Sequence, residues 1–306
     1  MKVSIVIAVY NNAGSISKTH EQIRAVFSNE LAGSEYEIVF VDDGSEDHSQ
    51  QEILKVKETD PWVKAITFTR NFGQMAAMLA GFKEASGDAV INLSADLQDP
   101  VDLIPQMVKR WQEGAETVIC YRTNRSDDLL AKAYSRLAYW VMRKSIPQIP
   151  RGGFDVVLMD RKVMDVFNAI DVRHRFFQGD LLWFGYRTSF IPYTRLERTI
   201  GKSQYTFGKK LKNFIDTVID TSYLPIRLIS LLGFFTAISG ILYSVSIAIN
   251  WLQGGSPFAG WAPIMIAILL IGGLIMIMLG IIGEYVWRTN EEVRRKPNYI
   301  IRDKSL

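Results

Sequence analysis

The chain has 306 residues, of which 48% are hydrophobic and 22% charged, and its formal net charge is +3. This composition excludes a disordered or collagen-like chain, and so small a positive charge gives no reason to expect nucleic acid as a partner. The charges are unevenly distributed, because residues 228–283 contain no Asp, Glu, Lys, Arg or His. We therefore expect a soluble domain followed by a membrane unit.

The first part of the chain alternates short apolar runs with stretches of helical periodicity. The runs predict strands at VSIVIAVY, EIVFVDD, VKAITFTR, AVINLSAD and TVICYR, and the stretches predict helices at about Ser15–Ser28, His48–Glu58, Gln74–Ala85 and Leu103–Glu113. Continuously apolar strands that alternate with helices are typical of a mostly parallel α/β sheet with helices on both faces. In such sheets ligands bind at the carboxyl ends of the strands, where this sequence is most polar.

Further elements follow. Residues Leu129–Lys144 have a helical pattern, RGGFDVVLMDRKV predicts a strand that leads into a helix, and RFFQGDLLWFGYRTSFIPY predicts a short helix and another strand. The single cysteine, Cys120, lies in an apolar run and is expected in the core. Thr206–Ile226 combines apolar residues at helical spacing with lysines, which suits either an interfacial amphipathic helix or a helix packed on the soluble core.

The uncharged block contains two segments long enough to cross a bilayer, residues 228–252 and 262–283. Two crossings leave both flanks on one side, and the Lys and Arg of those flanks place the domain and both termini in the cytoplasm, with the protein in the inner (cell) membrane. The predicted organisation is a domain at 1–205, an amphipathic helix at 206–227, the two transmembrane helices within 228–283, and a cytoplasmic tail at 284–306. Small residues in the first segment would permit close helix contacts, and we expect a homo-oligomer.

Familiar nucleotide fingerprints are absent. The sequence has neither a G-x-x-x-x-G-K-[ST] loop nor a G-x-G-x-x-G turn after its first strand, and no His/Cys cluster indicates zinc. The turn at Gly44-Ser45 follows two acidic residues, which is unsuited to binding a pyrophosphate through the backbone alone. A phosphate site here must therefore use carboxylates and a cation.

Three strand ends carry a resemblance. VSIVIAVYNN, EIVFVDDGSED and INLSADLQDP resemble, in order and spacing, the family 2 glycosyltransferases of the GT-A (Rossmann-like) fold. The segments RNFGQMAAMLAG, GFDVVLMDRKV and RTIGKSQY, followed by two spans, resemble the polyprenyl-phosphate glycosyltransferases. These are relatives of dolichyl-phosphate mannose synthase, and the similarity is closest to the bacterial GtrB-type polyisoprenyl-phosphate glucosyltransferases. It covers nearly the whole chain.

The resemblance implies a nucleotide-sugar site. Tyr10 and Asn11 would line the base and ribose pocket, Asp42 would contact the base, and Asp43 would lie near the ribose or phosphate. Arg70, at the end of the third strand, would lie beside the nucleotide. Alternative interpretations are that Asp43 caps the turn at Gly44-Ser45 and that Arg70 forms a surface salt bridge.

The segment SADLQDP implies a metal site. Asp96 and Gln98 match the last two ligands of the family's D-x-D-x-Q pattern, and Ser94 stands in place of the first acid. Ser94 and Asp96 are also expected to bind the nucleotide sugar. Mg²⁺ (or Mn²⁺) takes oxygen ligands and keeps several waters, so one or two side chains suffice. The alternative interpretation of Asp96 is an N-terminal cap of the following helix.

The remaining site residues concern catalysis and the acceptor. Asp155 matches the family's catalytic carboxylate, and Asp180 is a second candidate. A lipid monophosphate is largely ionised at neutral pH, so Asp155 either removes a proton or orients a substrate. Candidate acceptor-phosphate ligands are cationic or hydroxyl side chains near the membrane: Arg122, Lys132, Ser135, Arg198 and Lys202.

Together these features predict an inverting transfer of a hexose to a polyprenyl phosphate for cell-envelope glycosylation. Glucose from UDP-glucose and undecaprenyl phosphate are the expected substrates. Alternatives are the same reaction with mannose, galactose, GlcNAc or aminoarabinose, a polysaccharide synthase, and a non-enzymatic membrane partner. The synthase would show a Q-x-x-R-W segment, which the run Gln178–Trp183 lacks.

Overall fold

The structure is a computed structural model that describes residues 1–123, 143, 146–150, 153–170, 172, 175–196, 224–253 and 262–306. It divides into two compact units. The sheet unit comprises Met1–Phe214 together with Pro297–Leu306, and the helical unit comprises Ile215–Lys296. The helical unit is thus inserted between two parts of the sheet unit.

One sheet of eight strands, counted within the described residues, organises the sheet unit. Its spatial order is β7-β5-β6-β4-β1-β2-β3-β8. β6 and β8 run antiparallel to their neighbours, whereas the other pairings are parallel, so the expected mostly parallel sheet is confirmed. The strands are β1 (Lys2–Val9), β2 (Glu35–Asp42), β3 (Val63–Phe68), β4 (Ala89–Ser94), β5 (Thr117–Arg122), β6 (Phe154–Asp160), β7 (Thr188–Tyr193) and β8 (Ile301–Ser305).

Helices cover both faces of this sheet, as predicted. Side chains alternate between the two faces along each strand, and here the side chains on both faces are apolar and buried. On one face Ile5 and Ile7 of β1 pack among side chains of α1 (Ile16–Asn29), α2 (Ser49–Thr59) and α4 (Leu103–Gln112). On the other face Val6 packs among side chains of α3 (Gln74–Glu84), α5 (Arg161–Ala169) and α6 (Phe177–Trp183). Cys120 is fully buried in the first core, and burial raises the pKa of its thiol to about 12.

The predicted strand and helix in RGGFDVVLMDRKV are confirmed as β6 and α5, and the short helix and strand that follow are α6 and β7. Of the predicted helix at Leu129–Lys144, only Arg143 is among the described residues. The amphipathic segment Thr206–Ile226 falls outside them except for its last residues, which belong to the next helix.

Residues 284–306 do not form one tail. Their first part continues a helix to Val293, and their last part forms β8, which pairs antiparallel with β3 in the sheet unit. Tyr299 stacks on Phe68 with ring centroids 5.0 Å apart, and Lys304 Nζ lies 2.7 Å from Glu84 Oε1. These contacts attach the segment beyond the helical unit to the edge of the sheet.

The helical unit contains α7 (Leu224–Leu252) and α8 (Ala262–Val293). Within the described residues, the stretch Ile266–Val293 is long and apolar enough to cross a membrane, and none of it is buried inside the protein. The corresponding apolar part of α7, Arg227–Tyr243, is shorter. One candidate span is therefore found, and the second span remains a prediction.

Candidate active site

A pocket of about 270 Å³ opens at the carboxyl ends of β1, β2 and β3. Three residues that the sequence assigned to a nucleotide line it, namely Tyr10, Asp42 and Arg70. Its other walls include polar side chains, among them Ser45, Gln50, Thr67, Thr69 and Arg302. The pocket thus presents carboxylate, guanidinium, hydroxyl and amide groups within one recess.

Asn11 and Asp42 hold the loops that frame this pocket. Asn11 adopts a left-handed backbone conformation, with φ of 52°, in which its N–H donates to Ser45 Oγ at 3.0 Å. Its side-chain Oδ1 accepts from the backbone N–H of Glu46 at 2.9 Å. Asp42 Oδ1 accepts from the backbone N–H of Ser45 at 3.0 Å, so Asp42 is the residue that caps the turn.

Asp43 joins the β2 loop to the loop after β3. Its carboxylate oxygens accept from the backbone N–H groups of Phe72, at 2.6 Å, and Gly73, at 2.9 Å. Burial raises the pKa of Asp43 above its usual range, and the neighbouring Asp42 adds to this, although the two N–H donors oppose it. The side chain therefore fixes the β3 loop, and with it the adjacent Arg70.

The turn at Gly44 allows the β2 loop to approach Arg70 closely. Gly44 has a φ of +68°, and a Cβ added there would lie 2.4 Å from the backbone carbon of Arg70. The Arg70 guanidinium lies 4.2 Å from the centroid of the Phe72 ring. Only glycine permits this close packing of the two loops.

The segment after β4 orients the Asp96 carboxylate. Asp96 is buried, and its Oδ1 accepts from the Ser94 hydroxyl at 2.6 Å and from the backbone N–H of Gln98 at 3.2 Å. The intervening Leu97 has a φ of 58°, which is costly for a non-glycine residue. Helix α4 begins after Asp102 at its N-cap position, so Asp96 does not cap it.

The residues of this segment fit a hard divalent cation. Asp96 offers a carboxylate and Gln98 an amide oxygen, and Mg²⁺ is commonly held by one or two side chains together with substrate phosphates. No group of three or more His, Cys, Asp or Glu side chains suited to a metal occurs in the part of the chain that the structure describes. One carboxylate and one amide oxygen leave coordination positions of such a cation for water and for a diphosphate.

Asp155 and Arg122 form a salt bridge, which brings together the catalytic candidate and an acceptor-phosphate candidate. The Asp155 side chain is 49% exposed, whereas that of Arg122 is 14% exposed. Arg122 Nε is buried and has no hydrogen-bond partner among the described residues. Its planar guanidinium carries further donors beside Nε, so Arg122 remains a candidate ligand for a phosphate oxygen.

β6 brings Asp155 to the same edge of the sheet as the Asp96 segment. Val157 lies opposite Asn92 of β4, so Asp155, two residues earlier, falls at the level of Ser94. The Asn92 side chain reinforces this register, because it donates to the backbone oxygen of Asp155 and accepts from the N–H of Val157. Asp180, by contrast, pairs with Arg175 at 3.3 Å, and burial raises the pKa of Asp180 despite that arginine.

A further set of polar side chains, which no sequence motif indicated, lies at the end of β7. The Tyr193 hydroxyl donates to Asp99 Oδ1 at 2.7 Å. Arg195 lies between two acids, with its Nε 3.7 Å from Asp99 Oδ1 and its Nη2 3.8 Å from Asp96 Oδ2. Burial, with a further contribution from Asp99, raises the pKa of Tyr193.

These residues could not be assigned before the fold was known, since only the parallel pairing of β7 with β5 brings Arg195 to Asp96. The one available signal was the second acid of SADLQDP, Asp99. Four candidate acceptor-phosphate residues lie outside the described residues: Lys132, Ser135, Arg198 and Lys202.

Comparison with known proteins agrees with these motifs. The sequence profile of Glycosyl transferase family 2 matches residues 4–160. The SfII prophage-derived bactoprenol glucosyl transferase of Shigella flexneri is 36% identical over 305 residues, covering 99% of this chain and 98% of the relative. A prophage bactoprenol glucosyl transferase homolog of Escherichia coli K12 is 34% identical, covering 99% of each chain.

Among solved structures, a mannosyltransferase of Pyrobaculum calidifontis in complex with GDP-Man and Mn²⁺ is 19% identical, covers 90% of this chain and 83% of its own, and has a TM-score of 0.47. The profile match and the near-full-length relatives establish the family independently of that structure. The chain belongs to the family 2 glycosyltransferases, and it is a glycosyltransferase.

Proposed function

We propose that this enzyme transfers glucose from UDP-glucose to a polyprenyl phosphate, with undecaprenyl phosphate as the expected acceptor. The observation that carries the proposal is the shared edge of the sheet, where the Asp96 segment and the Arg122–Asp155 pair end on neighbouring strands. The Asp96 segment there suits a diphosphate with its cation, and Arg122 of the Arg122–Asp155 pair suits the phosphate of the acceptor. The relatives named bactoprenol glucosyl transferases support the choice of sugar and lipid.

On the donor side, Tyr10, Asp42 and Arg70 would bind the nucleoside, while Asn11 and Asp43 hold the loops that carry them. Asp96 and Gln98, with Ser94 orienting the carboxylate, would hold Mg²⁺ or Mn²⁺. A bound divalent cation neutralises the charge that develops on the departing diphosphate.

On the acceptor side, Arg122 would bind the lipid phosphate, with Lys132, Ser135, Arg198 and Lys202 as further ligands. The second pKa of a phosphate monoester is about 6, so the acceptor oxygen is already anionic at neutral pH. It can attack the anomeric carbon without a base, and attack opposite the departing UDP inverts that carbon. We assign Asp155 the role of orienting Arg122, because the two side chains are paired.

We also propose that α7 and α8 both cross the inner membrane, with the sheet unit and both termini in the cytoplasm. β8 follows the helical unit and pairs with β3, which precedes it, so the chain must return to the side it left. The number of crossings is therefore even. Because α8 is a candidate span, α7 would supply the other.

The deciding experiment incubates the purified full chain with undecaprenyl phosphate, Mg²⁺ and labelled UDP-glucose, UDP-galactose, UDP-GlcNAc, UDP-aminoarabinose or GDP-mannose. We expect a glucosylated lipid phosphate of β configuration. A different labelled lipid product would correct the sugar, whereas polymer, or no product with any donor, would overturn the proposal.

Asp96→Ala tests the metal assignment in the same assay, with Asp102→Ala as its control. Losing the carboxylate that helps to neutralise the diphosphate should lower turnover by at least about a hundredfold. It should also abolish the dependence of UDP affinity on Mg²⁺ in calorimetry. Asp102→Ala, in the same loop at the N-cap position of α4, should retain turnover. Full activity of Asp96→Ala would refute the metal assignment.

A further inference from the structure

Arg302 lies in the pocket at the ends of β1, β2 and β3, although it comes from the far side of the helical unit in sequence. Its Nη2 donates to the backbone oxygen of Thr69 at 3.0 Å. Asp42, Gln50, Thr67 and Arg70 line the same pocket. β8 lies outside residues 4–160, which match the family profile, and it contributes a cation to the proposed nucleotide site.

An irregularity in the β3–β8 pairing places Arg302 at this point. Thr67 pairs with Asp303, but the next residue, Phe68, pairs with Ile301, so Arg302 is the extra residue of a bulge. Bulges at sheet edges commonly redirect a side chain beside a functional site. The backbone N–H of Thr69, which donates to Ile300 at 3.0 Å, fixes the chain on the other side of the bulge.

The order of the strands indicates which part of the nucleotide Arg302 would meet. The Asp96 segment follows β4, on one side of β1, whereas β2, β3 and β8 lie on the other side. A diphosphate held near Asp96 therefore directs its nucleoside towards β3 and β8. Arg302 would contact the base rather than the diphosphate.

We propose that Arg302 is a specificity residue that recognises a carbonyl oxygen of the nucleobase, a proposal that rests on the function proposed above. Asp42 accepts from the N–H beside that carbonyl. Guanidinium is a donor only and carboxylate an acceptor only, so the pair matches the imide edge of uracil, where a carbonyl adjoins an N–H. Thymine has the same imide, and guanine has a lactam with a carbonyl beside an N–H, whereas adenine and cytosine lack this pair.

The test measures binding of UDP, dTDP, GDP, CDP, ADP and uridine to the full chain with Mg²⁺, by calorimetry. We expect the wild-type chain to prefer bases with an imide edge. Arg302→Ala should weaken UDP and uridine alike by about tenfold or more, because a charge-assisted hydrogen bond is lost, and should leave CDP and ADP nearly unchanged. It should raise the KM for UDP-glucose and leave kcat nearly unchanged.

Two further variants are needed. Lys304→Ala, on the same strand, removes the salt bridge with Glu84 and should leave nucleotide affinity unchanged. Arg302→Lys keeps the charge but loses the planar pair of donors, and should give an intermediate loss. Thermal unfolding of each variant checks that the sheet is intact, and Arg302→Lys carries the test if the alanine variant does not fold.

The outcomes separate the two proposals. A wild-type chain that binds no nucleoside diphosphate would overturn the proposed function and this assignment together. Wild-type preference for UDP with unchanged affinity in Arg302→Ala would overturn only the assignment. A loss for UDP without a loss for uridine would also overturn it, since Arg302 would then act on phosphate.

Discussion

At the scale of single residues, the Arg122–Asp155 pair bears on whether Asp155 orients a substrate ligand or acts as a general base. A carboxylate that forms a salt bridge with a guanidinium is suited to holding that guanidinium in position. A general base would need access to a proton on the nucleophile, which an ionised phosphate does not carry at neutral pH. The pairing therefore favours an orienting role for Asp155.

Replacing Asp155 with Asn tests this role. If Asp155 orients Arg122, the variant should raise the KM for the lipid phosphate and lower turnover by about tenfold or less, with an unchanged pH–rate profile. A general base would instead contribute about 10²–10⁴-fold, and its loss would remove the acidic limb of the profile. Asp180→Asn, at the acid paired with Arg175, is the control and should leave the KM for the lipid unchanged.

The contact between Gly44 and Arg70 leads to a second prediction at this scale. Gly44→Ala must place a Cβ against the Arg70 backbone in addition to adopting an unfavourable φ. Gly14→Ala is a matched control, because Gly14 also has a positive φ, +88°, but no atom within 4 Å of the added Cβ. We expect a cost of about 1 kcal/mol for Gly14→Ala and about 1–3 kcal/mol more for Gly44→Ala.

Chemical denaturation of both glycine variants, with UDP binding measured in parallel, would check the comparison. Equal destabilisation would contradict the proposed clash. A selective loss of UDP affinity in Gly44→Ala would show that the spacing of the two loops matters for the pocket as well as for folding.

At the scale of elements, buried Glu37 ties neighbouring strands together. Its carboxylate lies 2.9 Å from Lys2 Nζ of β1 and 3.0 Å from Lys64 Nζ of β3, and it accepts from the Ser4 and Ser86 hydroxyls. Burial alone would raise the pKa of Glu37, but the hydrogen bonds, from Ser4 first and then Ser86, outweigh it and hold that pKa well below its usual range.

This depressed pKa makes stability depend on pH. Ionised Glu37 contributes stability that is present above its unfolded pKa of about 4.3 and is lost as the pH falls towards the folded pKa. We expect the free energy of unfolding to decrease as the pH falls from about 4.5 to 3. Glu37→Gln should be less stable at pH 7 and should show a weaker dependence in this interval, measured by denaturant titration at each pH.

The elements with a strong apolar pattern were predictable. β1 to β5 were found because each is a buried run of Val and Ile, and their order with the helices gave the parallel sheet. β8 was not found, because its sequence, IRDKS, is charged and all its residues are exposed, as suits an edge strand. Arg195 and Arg302 were not predicted as site residues for a related reason. The order of the strands brings Arg195 to the site and a bulge brings Arg302, and neither feature can be read from a single sequence.

At the scale of the whole molecule, the inserted helical unit constrains how the chain can cross a membrane. In the two-span topology proposed above, both parts of the sheet unit lie on one side of the membrane, and a residue between α7 and α8 is expected on the other. Cysteine labelling can test this directly, because the single native cysteine, Cys120, is fully buried and should not react.

We expect Ser256→Cys, between the two helices, to react with a membrane-impermeant maleimide in right-side-out vesicles. Lys109→Cys, exposed on α4 of the sheet unit, should react only in inside-out vesicles. The unmodified chain is the control for background labelling. Labelling of both positions from the same side would refute the two crossings, and labelling of Lys109→Cys in right-side-out vesicles would refute the cytoplasmic assignment.

The pairing of β3 with β8 also has a consequence for biosynthesis. The ribosome makes β3 early and β8 only after both long apolar helices, so β3 lacks this edge partner while those helices are being synthesised. An unpaired edge strand is a site for aggregation, and contacts distant in sequence form slowly. If both helices cross the membrane as proposed, closure of the sheet edge would follow their insertion, and catalytic competence would then report that membrane integration had been completed.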